Sequence, residues 1–391
     1  MKYNFDKVID RSGTSAEKVE GLKHIWGRTD LIPLWVADMD FATAPFVTDA
    51  IRKRCENEVL GYTGKPDSYY NAIINWVKQR YDLIVTKEVI NFVPGIVPGI
   101  GMAMNCFTQK GDKVMIQPPV YHPFAWVTTR NERTLVINPL KWENGMYRMD
   151  LDAFREQIKG CKLFILCNPH NPGGVVWTEA ELRAIADICY DEKVLVFSDE
   201  IHADLTLPPH THRPFATVSE KARMNSVTFM SPSKAFNMPG LSASHALIFN
   251  EDLRKRFRIY MDAGELDMGH VFAFLSVEAA YSHGTEWLDQ CLAYIQGNID
   301  FVDEFLKKHA PKIKAIRPGA SYLVWLDCRE LKLSQKDLNE FFVDKAHLAL
   351  NDGEMFGKEG IGFMRLNVAS PRCIIEKAMK QLADAYQLYI K

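Results

Sequence analysis

The chain predicts an α/β fold in which a mainly parallel sheet flanked by helices forms a large domain, beside a smaller α+β domain. Three observations lead there. Between residues 91 and 250, apolar runs of strand length alternate with turn and helix signals, the rhythm of parallel strands joined by crossovers. Several runs are apolar at consecutive positions, as strands covered on both faces require. After about residue 285 the rhythm changes to a long helix, separated strands and a terminal helix. The expected division is therefore residues 41–287 for the large domain, and 1–40 with 288–391 for the small one. With 391 residues, 47% hydrophobic and 25% charged, the chain can bury more than one core.

Residues 1 to about 30 read as polar and irregular. LIPLWVADMDF (31–41) gathers apolar residues around Asp38 and Asp40 and reads as a domain-entry segment that buries Trp35 and Phe41. Helical patterning runs from Pro45 to Glu58 and stops at LGYTGKPDSYY, where Gly61 and Gly64 break the period. A second helix is expected from Tyr69 to Tyr81, carrying Ile73, Ile74, Trp76 and Val77. NFVPGIVPGIGMAMNCF (91–107) reads as a short strand, a glycine-rich turn and a helix. Further strands are expected at KVMIQPP (113–119), RTLVINPL (133–140), KLFILCNP (162–169), VLVFSDE (194–200), SVTFMS (226–231) and SHALIFN (244–250). TEAELRAIADICYDE has a capping box at Thr178 and Glu181, with Leu182, Ile185, Ala186 and Cys189 along one helical face. The C-terminal part brings the helix TEWLDQCLAYIQGNIDFVDEFLKKH, then SYLVWLDCRE, a short helix through Phe342, FMRLNVA and a last helix.

A formal net charge of −2 and the lack of a basic run offer no footprint for nucleic acid or an anionic membrane, so small-molecule chemistry is expected. The opening MKYNFDKVIDRSG lacks the apolar core of a signal peptide, and no apolar run reaches bilayer-spanning length; the expected compartment is the cytoplasm. Eight cysteines are scattered without a Cys-x-x-Cys pair, and no histidine cluster completes a metal spacing. Neither a metal site nor a disulfide framework is expected, and runs such as LFILC read as core positions.

The segment that organises the chemistry is SPSKAFNMPGL (231–241), which places Lys234 just beyond an apolar strand with Ser231 and Ser233 beside it. A free lysine of pKa about 10.4 is neutral in only about 0.04% of molecules at pH 7, so a useful lysine must be desolvated or covalently held, as a Schiff-base lysine is. In open α/β sheets, ligands gather at the carboxyl ends of strands. The polar residues converge there: Asn168 and Asn171 follow KLFIL, Asp199 closes VLVFSD, Tyr121 follows KVMIQPP, and Ser231 to Lys234 follow SVTFM. Each alone is also ordinary turn chemistry. Together they favour a site.

NPHNPGG, SDEIHADL and SPSKAFNMPGL, in that order and spacing, resemble the pyridoxal-phosphate (PLP) enzymes of the aspartate-aminotransferase fold. LWVADMDF, GYTGKPDSYY and FMRLNVASP narrow the resemblance to the cystathionine β-lyase (C–S lyase) branch, over essentially the whole chain. The resemblance implies that Lys234 binds the cofactor aldehyde and then moves the substrate α-proton, and that Asp199 pairs with the pyridine nitrogen. It implies that Asn171 donates to the phenolic oxygen and Tyr121 stacks on the ring. The backbone amides of Gly95, Ile96 and Val97 would cradle the phosphate with Ser231 and Ser233. Arg365 would clamp the substrate carboxylate, with Ala37 and Asp38 also at the substrate. Tyr62 would reach the phosphate of a neighbouring subunit, which implies a homodimer. Two positions depart from the wider pattern. Ser242 stands where many relatives carry a phosphate-binding arginine, and His202 stands where aminotransferases have a tyrosine. The implied activity is β-elimination from a sulfur amino acid such as L-cystathionine. An aminotransferase on the same scaffold, or a PLP-holding protein that binds a regulatory partner, is the alternative.

Overall fold

The computed structural model describes residues 3–390. A short strand, β1 (Ile32–Pro33), precedes the large sheet. Then come β2 (Ile90–Val93), β3 (Lys113–Ile116) and β4 (Thr134–Ile137), a separate hairpin of β5 (Lys141–Glu143) and β6 (Met146–Arg148), and β7 (Cys161–Cys167), β8 (Leu195–Asp199), β9 (Ser226–Met230) and β10 (Ser244–Leu247). The seven-stranded sheet has the order β2-β10-β9-β8-β7-β3-β4. Pairings from β9 through β8, β7 and β3 to β4 are parallel, while β10 runs antiparallel to both β9 and β2. The α/β expectation holds, with one reversed strand.

Side-chain alternation shows why these runs are apolar throughout. Along β7, Leu163 and Ile165 enter a core with Val114, Ile100 and Phe197, while Phe164 and Leu166 enter another with Met115, Ile185 and Val196. Both faces are covered, so both parities must be hydrophobic. The helix Glu179–Asp191 that covers the second face begins with the capping box at Thr178 and Glu181.

Beyond the helix Thr285–His309, a second sheet forms from β11 (Lys314–Ile316) and β12 (Leu323–Asp327). After β13 (Leu348–Ala349), it is completed by β14 (Asn351–Asp352) and β15 (Phe363–Asn367). Its order is β11-β12-β15-β14, all antiparallel. Leu288, Ile295 and Ile299 of the long helix and Ile375, Met379 and Leu382 of the last helix (Arg372–Tyr389) pack in one core with this sheet. The N-terminal segment joins it through β1, which pairs in parallel with β13.

Three local readings need correction. The segment expected to be irregular contains a helix, Glu17–Trp26, whose N-cap is Ala16 with no side-chain cap and whose centre holds Gly21. Weak propensity hid it. Tertiary contact sustains it, because a Cβ at Gly21 would lie 3.1 Å from Trp35 Cζ2, so glycine admits the indole. The helix from Pro45 ends at Cys55, three residues before the expected Glu58. The β5–β6 hairpin turns on Asn144 and Gly145 at φ 51° and 82°, the left-handed pair that two-residue hairpins use. Phe41 is buried as expected, whereas Trp35 is only half-buried.

Candidate active site

Parallel β7, β8 and β9 deliver their carboxyl ends to one edge of the sheet, and reversed β10 starts from that same edge. A cavity of about 210 Å³ opens there. Its walls include Ala37, Gly95, Ile96, Val97, Tyr121, Asn171, Asp199, His202, Ser233 and Lys234. Residues 95–97 lie at the start of the helix Ile96–Phe107, where the first backbone N–H groups lack helical partners and favour an anion.

Lys234 Nζ donates to the Ala37 carbonyl, which also accepts from Tyr322 OH at 2.9 Å. Loss of hydration, with the positive charge of Arg365 nearby, pushes its pKa down to about 8. About a tenth of the molecules then carry a neutral amine at pH 7. Asp199 is 4% exposed at the end of β8, and among the described residues only its Oδ1 has a partner, the Ile201 N–H at 3.1 Å. Burial pushes this carboxyl up to about 7, against the backbone hydrogen bond and the attraction of Lys234. Next to it, Glu200 turns away from the cavity and is satisfied completely. It accepts from Ser198 Oγ and the Phe215 N–H at 2.8 Å each, and meets His212 Nε2 at 2.8 Å.

His202 lines the cavity with Nδ1 unpartnered among the described residues. Burial drives its pKa down to about 3, so the ring is neutral. Tyr121, also in the wall, is raised above its ordinary value by burial. Arg365, on β15 and 3% exposed, stands behind Asn171. Its Nη1 donates to Asn171 Oδ1 at 3.0 Å, and its Nη2 to Asn351 Oδ1 at 2.6 Å and the Trp35 carbonyl at 3.2 Å. Its Nε is buried without an acceptor, and no carboxylate pairs with the guanidinium among the described residues. Desolvation lowers its pKa to about 10, which leaves it a cation at neutral pH.

Some expected members stand elsewhere. Ser231 lies behind Ser233, its hydroxyl 2.8 Å from the Ala243 carbonyl and 2.9 Å from Ser233 Oγ, and does not line the cavity. The Asp38 carboxylate points to Arg11 and Lys18 while its neighbour Ala37 faces the cavity. Tyr62 is 99% exposed and flanks a groove with Met268 and His270, outside the cavity formed by its own chain. Ser242 is in the wall, so a hydroxyl does occupy the place of the missing arginine. Sequence reasoning missed Lys18, Asn351 and Tyr322. A lysine followed by apolar Val19 and Leu22 carried a faint signal; Asn351 and Tyr322 carried none.

These residues fit PLP. The half-partnered Asp199 suits a protonated ring nitrogen, the helix start with Ser233 and Ser242 suits a phosphate, and the orphaned Nε of Arg365 suits a substrate carboxylate. Asn171 commits its oxygen to Arg365, and its side-chain amide N–H groups have no acceptor among the described residues, hence are available to an oxyanion.

The comparisons with known proteins agree. Residues 29–382 match the family model for aminotransferase class I and II. Cystathionine beta-lyase PatB of Bacillus subtilis is 38% identical, over 98% of this chain and 99% of its own. Cystalysin from Treponema denticola, whose crystal structure contains a pyridoxal 5′-phosphate cofactor, superposes with a TM-score of 0.96 at 33% identity, over 100% of both chains. The PLP-bound C–S lyase from Staphylococcus hominis gives 0.91 at 35% identity, over 98% of each chain. With its sheet order, its strand-end lysine and its nearly end-to-end likeness to these enzymes, the chain belongs to the aminotransferase class I and II family.

Proposed function

We propose that the protein is a PLP-dependent carbon–sulfur lyase that converts L-cystathionine and water to homocysteine, pyruvate and ammonia. The observation that carries this is the half-partnered Asp199 in one cavity with the desolvated Lys234, in a chain similar over its whole length to C–S lyases. Bound PLP supplies an aldehyde that Lys234 and then the substrate amine engage, and a ring that accepts the electron pair left by the α-proton.

The chain's own groups do the rest. Arg365 offers its unpartnered Nε–H and its positive charge to the α-carboxylate, a charge-assisted contact that helps fix the amino acid in one orientation. Asp199, as carboxylate, holds a proton on the ring nitrogen, and that pairing offsets the desolvation that otherwise favours its neutral form. Lys234 Nζ, freed from its attachment, takes the α-proton as a neutral amine, which its lowered pKa makes accessible. The net change would part the β-carbon from sulfur, sulfur keeping the electron pair and taking a proton to give the thiol, while water would convert the rest of the substrate to pyruvate and ammonia. Neutral His202 remains in the wall as a hydrogen-bonding group without charge.

Tyr62, exposed on residues 57–66, is assigned to the phosphate site of a second copy, which makes the working unit a homodimer; Val59 and Leu60 beside it are also exposed. Among the described residues no helix is long and apolar enough to cross a membrane. A cytoplasmic location and an amino-acid substrate complete the reading. The test is incubation with L-cystathionine, L-cysteine, and an amino acid plus keto-acid pair, while pyruvate, thiol and new amino acid are assayed. Pyruvate and thiol without amino transfer are expected; efficient amino transfer without thiol establishes the aminotransferase instead.

A further inference from the structure

Residues 35–41 form a strap that touches the cavity wall through Ala37, and it is gripped from three directions. From the small sheet, Arg365 Nη2 donates to the Trp35 carbonyl, Asn367 Nδ2 to the Val36 and Asp38 carbonyls at 2.7 Å each, and Tyr322 OH to the Ala37 carbonyl. From the lysine loop, Asn237 accepts the Met39 N–H at 3.0 Å and donates to the carbonyls of Met39 and Phe41 at 3.0 and 2.8 Å. From outside comes a quartet of charges. Lys18 Nζ meets Asp40 Oδ2 at 2.9 Å, Asp38 Oδ1 at 3.5 Å and the Asp38 carbonyl at 3.3 Å. Arg11 meets Asp38 Oδ2 at 2.6 Å and Asp40 Oδ1 at 3.2 Å.

Lys18 is the unusual member because its side chain is 0% exposed. Removing an ammonium from water is costly, and a hydrophobic residue of similar volume would fill the space without that cost, so its retention calls for a purpose beyond packing. The strap's alternation supplies one. Asp38 and Asp40 turn out to the cations, while Met39 between them is buried and Ala37 faces the cavity. Trp35 Nε1 closes the circuit by donating to the Lys18 carbonyl at 3.0 Å.

We propose that Lys18 is a positioning residue, assisted by Arg11: by pinning Asp38 and Asp40 it fixes the Ala37 carbonyl against Lys234 Nζ and the Trp35 carbonyl against Arg365. The proposal rests on the reading of Lys234 and Arg365 as cofactor lysine and carboxylate clamp. Loosening the strap degrades the ordering of bound amino acid more than the bond-breaking steps, so KM rises while kcat changes little.

The test compares Lys18→Met, Lys18→Arg, Arg11→Met and Asp40→Asn holoenzymes by hydrogen-exchange mass spectrometry and steady-state kinetics. In Lys18→Met, amides of residues 36–41 exchange at least tenfold faster while β8 and β9 stay protected; KM rises at least tenfold and kcat stays within threefold. Lys18→Arg, which keeps the charge, restores most of both. Arg11→Met and Asp40→Asn shift both readouts the same way by less, and they decide the matter if Lys18→Met does not fold. Exchange that rises evenly across the molecule, or an unmoved KM in the folded variants, overturns the proposal. Borohydride trapping of the cofactor on another lysine of the unaltered enzyme overturns the site reading beneath it, whereas trapping on Lys234 with unmoved exchange overturns the proposal alone.

Discussion

Asp199 and Glu200 are adjacent in sequence, both buried and both acidic, yet they belong to two different kinds of region. Glu200 faces a closed network in which Ser198, His212 and the Phe215 N–H occupy its oxygens. Asp199 faces a cavity and has one oxygen without a partner among the described residues, and burial lifts its pKa to about 7. Burying a carboxylate is tolerable when the protein satisfies it, and an unsatisfied one is retained where something else completes it. The contrast separates a residue that holds the fold from one that awaits a ligand, although composition and burial are alike.

The hardest strike at the cavity side is Lys234→Ala, which is expected to lower turnover by about 10⁴-fold, or about 5.5 kcal/mol of barrier, and to abolish the borohydride-reducible attachment of cofactor. Trapping that persists on another lysine would break the comparison at its centre. Asp199→Asn keeps the shape but gives up the charge, and about 10³-fold of turnover, or about 4 kcal/mol, is expected to go with it, measured as loss of pyruvate formation. On the closed side, Glu200→Ala leaves three partners bereft inside the protein and is expected to cost about 3–5 kcal/mol of stability in urea unfolding. Its turnover per folded molecule is expected to remain within about threefold; equal kinetic losses in the two variants would erase the distinction.

The most gradual effect, spread over about three pH units, is a pH dependence. In the cofactor-free protein Asp199 has a folded pKa raised from 3.8 to about 7, so between those values the folded state binds more protons than the unfolded state. Stability from this group is therefore greatest below the unfolded value and declines as pH rises towards 7. Relative to Asp199→Asn, the wild-type curve is expected to fall by up to about 1.4 kcal/mol per pH unit across that window. Parallel curves would show that Asp199 is better solvated than its surroundings indicate. Lys234 acts above this range, because its lowered pKa makes stability rise with pH from about 8 to its ordinary value of 10.5.

How far the sequence reveals this depends on whether a residue's meaning is local. β7, β8 and β9 are legible because covering both faces forces largely apolar runs, and Asp199 and Lys234 because they stand where such runs stop. Asn171 and Arg365 are legible through the motifs around them. The helix at 17–26 is not, since Gly21 and an uncapped start weaken its local signal and its stabilising partner, Trp35, lies in another segment. The outward turn of the Asp38 carboxylate is illegible for the same reason: alternation gives two faces, and only the arrival of Lys18 and Arg11 says which one meets the cations. Ser231 shows a further limit, because a strand-exit hydroxyl can serve the loop's own carbonyl as readily as a ligand.

Because β10 runs against its neighbours, the chain leaves β9 at the cavity edge and re-enters the sheet there, with Met230 opposite His245. The lysine therefore sits in a loop closed at both ends by the sheet, and not on a free crossover. The loop-closure part of the cost of added length grows only logarithmically, so two or three residues inserted between Phe236 and Ser242 would add roughly a few tenths of a kcal/mol of closure entropy, beside the packing of Met238 that they would disturb. The same insertion would shift Lys234 against Ala37 and Asn237 against the strap. The length of this loop should thus be constrained both by chemistry and by its own packing, unlike that of an ordinary surface turn.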